Sequence, residues 1–323
     1  MVYKVISKVL SNRLVSVLDN LVSPVQTAFL GGKNIVASPL ILNEIFAWVK
    51  KTKKQALFFK VDLDKAYDTL NWKFLITVLH HMGFPSKWRC WIMGILYAGS
   101  GRVLVNGSPT GSFNMERGLR QGDPISPFLF ILALESLNII MNKAVEDGLV
   151  SGLRLPNGGP LISHLFYADN VVFVGEGNLE HVKNLAWILR CFYVASGIRV
   201  SPSKSKVYGV GLDDSSMGRF AKALNCSVGS FPFIYLGMMV GSNMNIIANW
   251  KLVVDRFNSK LSRWKAKCLS LAGRVTLAKA VLSNLPTYYL SLYKAPTNVI
   301  NTLEGIRRRF VWGGVSSKKN KMD

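Results

Sequence analysis

Carboxylates are scarce in this chain, and those present are grouped where they could do chemistry. Residues 58–68 read Phe-Phe-Lys-Val-Asp-Leu-Asp-Lys-Ala-Tyr-Asp, so Asp62, Asp64 and Asp68 crowd one short stretch. Asp169 stands between two apolar, strand-like runs in Ser-His-Leu-Phe-Tyr-Ala-Asp-Asn-Val-Val-Phe-Val, residues 163–174. An acid in such a setting costs stability unless it is paired or holds a cation. Two strand-borne acid clusters, distant in sequence, point to one metal site assembled in space, with Asp62 from the first and Asp169 from the second. Magnesium takes oxygen ligands, commonly one or two carboxylates completed by substrate phosphates. A pair of such ions serves phosphoryl transfer. The residue after Asp169 is Asn170, where a two-ion site favours a second negative charge. Asp64 shares a strand face with Asp62, whereas Asp68 is also placed to cap the helix that follows.

Three further segments carry donors. Gly-Leu-Arg-Gln-Gly-Asp-Pro-Ile-Ser-Pro at 118–127 is a punctuated loop entering a helix. Backbone amides there can approach a phosphate or a base, and Arg120 and Gln121 add side-chain donors. Lys204, in Ser-Lys-Ser-Lys at 203–206, could hand a proton to a leaving pyrophosphate; a loop lysine is otherwise simply solvated. Phe-Pro-Phe-Ile-Tyr-Leu-Gly at 231–237 reads as core.

The elements that must position these residues follow from hydrophobic period and capping. Residues 3–18 form an amphipathic helix with Ile6, Val9, Leu10, Leu14 and Val17 on one face and Lys4, Ser7, Lys8 and Ser11 opposite. Helices are expected at 39–50, opened by Ser38-Pro39, at 71–82, ended by Gly83, and at 179–196, ended by Gly197. Strands are expected at 56–62, 164–174 (a hairpin), 198–210 and near 233–240. Asn106-Gly107 marks a hairpin within 101–115. Ser126 and Pro127 read as N-cap and first residue of a long apolar helix. After about residue 245 the pattern becomes basic and helical, at 249–265, 272–285 and 297–312, with Phe257, Leu261, Trp264 and Leu285 inward and Pro286 and Gly313 as stops. The expected organisation is therefore 1–245 followed by a basic helical segment, 246–323.

Charge narrows the class. The 323 residues carry 40 Lys and Arg against 18 Asp and Glu, a formal charge of +22, with 49% hydrophobic residues. A folded chain so basic points to a polyanion, most often nucleic acid. From Lys251 onward 15 cations face 3 acids. Cys90, Cys191, Cys226 and Cys268 show no CxxC spacing and read as reduced, mostly buried thiols of an intracellular protein. The four histidines have no zinc spacing. No signal peptide is expected, and the apolar run Ile125–Met141, interrupted by Glu135 and Asn138, reads as too short to span a membrane.

In order and spacing, these segments resemble the reverse transcriptase of non-LTR (LINE-type) retrotransposons, particularly those of plant genomes. Phe59–Asp68 is similar to the first catalytic motif, Gly118–Pro127 to the Arg-Gln-Gly-Asp-Pro-x-Ser-Pro motif, and Tyr167–Asn170 to the Tyr/Phe-Ala-Asp-Asp motif. Ser196–Ser205 resembles the Ser-Gly-Leu-x-Val-Asn-x-x-Lys-Ser motif, Tyr235–Gly237 the primer-grip Tyr-Leu-Gly, and Trp250–Gly314 the thumb-like segment. The resemblance implies an α+β right-hand polymerase with fingers, a palm built on an antiparallel sheet, and a helical thumb. Asp62 and Asp169 would hold Mg2+, with Mn2+ as a substitute. Tyr67 would sit under the nucleotide sugar and exclude a 2′-hydroxyl. Arg120, Gln121 and Gly122 would shape the nucleotide and template pocket, with Lys33 contacting phosphate. Lys204 would lie near the leaving pyrophosphate, and Tyr235, Leu236 and Gly237 would support the primer end. Partners would be an RNA template, a DNA primer and dNTPs, with no membrane, and the element's life cycle implies the nucleus.

The chain also departs from the pattern. Asn170 replaces the second hairpin aspartate, Lys33 stands for the usual Arg, and Ser201 for the usual Asn. The chain opens after the start of the fingers, without the endonuclease and Cys/His-rich regions of the family, which reads as a truncated, decaying copy. Two functions follow: an impaired RNA-directed DNA polymerase, or a non-catalytic nucleic-acid-binding remnant of the same fold. A maturase-like RNA-binding factor is a third, disfavoured by the 250–314 segment.

Overall fold

The computed structural model describes residues 2–155, 158–261, 268–284 and 287–312. These group into two compact units, 1–231 and 232–323, so the 233–240 hairpin belongs with the basic helical segment and not with the preceding unit. Trp264, Leu285, Pro286, Gly313 and the 316–321 tail lie outside the described residues.

A sheet organises the first unit. Its centre is the strand Ala56–Asp64, flanked antiparallel by Lys206–Val210 on one side and Asn170–Gly175 on the other, with His164–Tyr167 beyond the latter. Arg199–Val200 pairs with the C-terminal end of the central strand. The sheet is not wholly antiparallel, because the short edge strand Ser227–Val228 runs parallel to Lys206–Val210. Ala56–Phe59 are buried on both faces, and burial alternates thereafter. Period-two geometry then puts Lys60, Asp62 and Asp64 on the open face while Val61 and Leu63 enter the core.

Helices cover the other face and the flanks: α1 (Val2–Leu21), α2 (Ala37–Thr52), α3 (Ala66–Thr69), α4 (Trp72–His81), α5 (Ser86–Tyr97), α6 (Ser126–Glu146), α7 (Leu179–Ser196) and α8 (Asp214–Ala223). Asn71 caps α4, its side chain accepting from Lys73 N at 2.8 Å and Phe74 N at 3.4 Å. Asp68 is therefore not that helix's cap. α6 begins one residue earlier than its sequence suggests, with Ile125 at the N-cap and no side-chain cap; the Ser126 N–H already bonds Asp123 O. At 21 residues α6 is also long and apolar enough to cross a membrane by length and composition, contrary to the expectation. Here Leu129–Leu134, Leu137 and Met141 form the heart of the core. Sequence periodicity missed α5 and α8.

Two further expectations fail. On α1 the buried stripe is Ser7, Leu10, Ser11, Leu14 and Leu18, while Ile6 and Val9 are 48% and 52% exposed. The serines face inward because their hydroxyls have partners there, described below. Among the cysteines, Cys90, Cys191 and Cys268 are exposed and Cys226 half-buried, all of them free thiols.

The second unit joins the hairpin Phe233–Tyr235/Met238–Val240 to helices Lys251–Lys260, Leu271–Asn284, Thr287–Leu292 and Thr297–Val311. Its core gathers Trp250, Phe257, Tyr289, Val299, Leu303, Ile306 and Phe310. Arg308 and Arg309 remain exposed on the last helix.

Candidate active site

Hydrogen-bond register places the two acid clusters side by side. Asp62 is the cross-strand partner of Asn170, and Tyr167 pairs with Asn170, leaving Ala168 and Asp169 as a two-residue hairpin turn. Ala168 takes a left-handed φ of 50°, a conformation that costs a non-glycine residue about 1–2 kcal/mol. The turn thrusts Asp169 beyond the strand ends, beside Asp62. Burial pushes the Asp169 carboxyl up, and the Asp62 charge adds to the rise. Lys204 Nζ lies 3.7 Å from Asp62 Oδ1. The Asn170 amide donates to Asp169 Oδ1 at 3.1 Å.

The central strand is tied down at this end. Asp62 N–H donates to Ser205 Oγ at 3.2 Å, and Ser201 N–H to Asp62 O at 2.8 Å. Thus the 201–205 loop fixes the backbone of Asp62 and presents Lys204. Ser201, buried, serves this loop. Arg199 holds Asp64 through two bonds, Nε at 3.0 Å and Nη2 at 2.6 Å from Oδ2, which leaves Asp62 and Asp169 as the acids available at the site.

Two juxtaposed carboxylates whose like charges raise the proton affinity of one of them suit a divalent cation, which would relieve that repulsion. Asp62 and Asp169 fit the role. No cluster of three or more His, Cys, Asp or Glu occurs among the described residues, so a cation here would draw its remaining ligands from substrate phosphates and water.

Beside the carboxylates lies a second cluster. Tyr67 stacks on Phe130, ring centroids 4.6 Å apart, and burial, reinforced by Asp169, pushes its hydroxyl up to about 12. The loop after Gly118 is laced to the same segment: Gly118 N–H donates to Leu70 O (2.8 Å), Leu119 N–H to Tyr67 O (2.6 Å) and Gln121 Nε2 to Asp68 Oδ1 (3.3 Å). Gly118 has φ +84°, and a Cβ there would meet Asp68 O at 2.6 Å, so only glycine permits the approach. Tyr67, Arg120, Gln121 and Gly122 are thereby brought together.

Not every expected residue joins them. Lys33 sits in the exposed 31–35 loop, and among the described residues no bond links its side chain to the carboxylates. Tyr235 is fully buried; Leu236 and Gly237, both at positive φ, form the hairpin tip. Gly237 O accepts from Tyr289 Oη at 2.8 Å.

Sequence reasoning overlooked Gln26. Its buried Oε1 accepts from Ala28 N (3.0 Å) and from Ala168 N (3.2 Å), holding the strained turn directly. Residues 25–27 also extend the sheet, with Phe166 N bonded to Val25 O and Thr27 N to Phe166 O. Behind the hairpin, His164 Nε2 lies 2.7 Å from Asn138 Oδ1 and Asn138 Nδ2 donates to Glu135 Oε1 at 2.5 Å. Burial lowers His164 to about 4 and raises Glu135.

The family profile described as "Reverse transcriptase (RNA-dependent DNA polymerase)" matches residues 1–240. The transposon TX1 149 kDa protein of Xenopus laevis is 26% identical over 317 residues, 97% of this chain and 24% of that protein. A Pol polyprotein from retrotransposable element R2 of Popillia japonica is 23% identical over 203 residues, 62% of this chain and 27% of that protein. The chain thus spans about a quarter of the length of these relatives. In fold it is similar to the telomerase of Candida tropicalis solved with a telomeric RNA fragment, at TM-score 0.51 and 12% identity, over 94% of this chain and 51% of that one.

Proposed function

The chain belongs to the reverse transcriptase family, as the reverse transcriptase domain of a LINE-type retroelement, and we propose that it extends a DNA primer along an RNA template with Mg2+ held by Asp62 and Asp169. The observation that carries this reading is the register that sets Asp62 opposite Asn170, next to Asp169, within reach of Lys204. In the reaction the primer 3′-oxygen forms a bond to the α-phosphorus of a dNTP, the bond to the β-phosphate oxygen breaks, and pyrophosphate leaves. The hydroxyl proton passes to solvent, while Lys204 donates a proton to the departing pyrophosphate. When bound, the divalent ions supply charge neutralisation at the attacking and leaving oxygens. Tyr67, fixed by its stack on Phe130, forms the floor under the sugar and disfavours a 2′-hydroxyl. Arg120, Gln121 and Gly122 border the incoming nucleotide. Lys33 contacts phosphate, and the 235–237 tip supports the primer. The exposed cations of the second unit follow the duplex backbone without reading sequence.

Asn170 weakens this machinery. An amide removes one negative charge from the ion site, and loss of such electrostatic preorganisation costs about 10²–10³ in rate. The same substitution favours a second reading, a remnant that binds nucleic acid without copying it. Incorporation of dNTPs on an RNA template with a DNA primer and Mg2+ tests the first reading, with Asp62→Ala as the control. Template-directed, Asp62-dependent synthesis supports it; tight primer–template binding with no synthesis, even after Asn170→Asp, supports the second.

A further inference from the structure

Helix α1 presents three hydroxyls at four-residue spacing, Tyr3, Ser7 and Ser11, and all three are spent on one distant segment. Tyr3 Oη donates to Asp123 Oδ2 and Ser7 Oγ to Asp123 Oδ1. Ser11 Oγ donates to Pro124 O at 3.1 Å. Residues four apart share a helix face, so one stripe of α1 grips the loop. Arg120 of that loop lays its guanidinium over the Tyr3 ring, 4.4 Å from the centroid. Asp123 and Ser7 are both buried. A buried carboxylate deprived of a donor keeps its full desolvation penalty, so the loop and the helix are strongly coupled.

The loop's other end is fastened to residues 67–70 through Gly118, Leu119 and Gln121. Gln121 is thus tied directly, and Arg120 and Gly122 on either side of it lie between that fastening and the grip on Asp123, Gly122 at φ +79°. A cavity of about 340 Å³ bordered by Tyr3, Asp68, Trp72, Arg120 and Gln121 lies against this span.

We infer that Tyr3, Ser7 and Ser11 are positioning residues: acting through Asp123 and Pro124, they make α1 a strut that holds residues 120–122 in the shape that receives the incoming nucleoside triphosphate, with the Tyr3 ring presetting Arg120. The identity of the ligand rests on the reverse transcriptase reading; the clamp does not.

Hydrogen exchange across 118–127 in the full chain tests the clamp, comparing Tyr3→Phe, Ser7→Ala and the pair, with exposed Lys8→Ala as control. Tyr3→Phe keeps the ring and removes only the hydroxyl, and protection of the 56–64 strand reports that the fold is intact. The double variant is expected to exchange about tenfold faster or more across 118–127, with 56–64 unchanged, and Ser7→Thr to restore protection. Unchanged exchange overturns the clamp. Should the double variant lose protection at 56–64, Tyr3→Phe alone is decisive on the same criterion. In an Asn170→Asp background, the double variant should raise KM for dNTP about tenfold with kcat within about twofold; a fall in kcat at constant KM overturns the nucleotide-pocket role. If Asn170→Asp synthesises nothing, the polymerase reading of this copy fails and the exchange result still decides the clamp.

Discussion

Replacing Gln26 by Met preserves the volume of a buried side chain and deletes the acceptor that holds the turn at Ala168. Two N–H groups, those of Ala28 and Ala168, lose their partner. Each buried, unpaired donor costs about 1–3 kcal/mol, or about 2–6 together. Part of this is returned, because Gln26 Nε2 is itself buried without a partner among the described residues, and Met removes that donor at a gain of about 1–3 kcal/mol. The net loss is about 1–3 kcal/mol, the cost of one unpaired donor. It falls on a turn already carrying the left-handed Ala168, so the hairpin relaxes where Asp169 must be held. Urea denaturation should show the loss, and hydrogen exchange should show deprotection concentrated at 164–175. Adding Ala168→Gly, which removes the strain at φ 50°, should recover about 1 kcal/mol. A stability within about 0.5 kcal/mol of the parent, with unchanged exchange at the hairpin, would refute the reasoning.

Four other outcomes follow from the same structure. His164, lowered by burial to about 4, is neutral when folded, whereas the unfolded chain takes up its proton near pH 6.5. Stability should therefore fall as pH drops from about 6.5 to about 4, by up to about 3 kcal/mol, and His164→Gln should flatten that slope in denaturation curves. Glu135 has the opposite sign: its raised carboxyl makes the ionised form a liability above the ordinary carboxylate range, so Glu135→Gln should match or exceed the parent's stability at pH 7, with the advantage lost as pH falls. Gly118→Ala should cost about 2 kcal/mol or more, from positive φ and the contact with Asp68 O, measured by thermal unfolding. Tyr67→Ala in the Asn170→Asp background should raise ribonucleotide use relative to dNTP use, while Tyr67→Phe, which keeps the stack on Phe130, should not.

The Asp169 hairpin was legible because its signal is local: an acid between two apolar runs, a turn, and a matching strand with acids at alternate positions. The 118–127 loop was equally plain from its glycines and prolines. What escaped was whatever depends on a distant partner. Ser7 and Ser11 look like a solvated face until Asp123 and Pro124 arrive from another part of the chain, and the same pattern that hid them assigned Ile6 and Val9 to the core. Gln26 is a lone polar residue in an irregular segment, and only the pairing of 25–27 with Phe166 gives it a role. Tyr235 matched a functional motif, and its side chain is fully buried, as its apolar neighbours already implied. The N-cap of α6 shifted by one residue because Asp123 had already engaged the first turn.

Primer extension on an RNA template with Mg2+ tests the central claim most directly, comparing the chain as it stands, Asn170→Asp, and Asn170→Asp combined with Asp62→Ala. The account predicts weak or no synthesis by the first, synthesis increased about 10²–10³-fold by the second, and none by the third. An Asn170→Asp variant that binds primer–template and remains inert would contradict it, as would synthesis that survives the loss of Asp62.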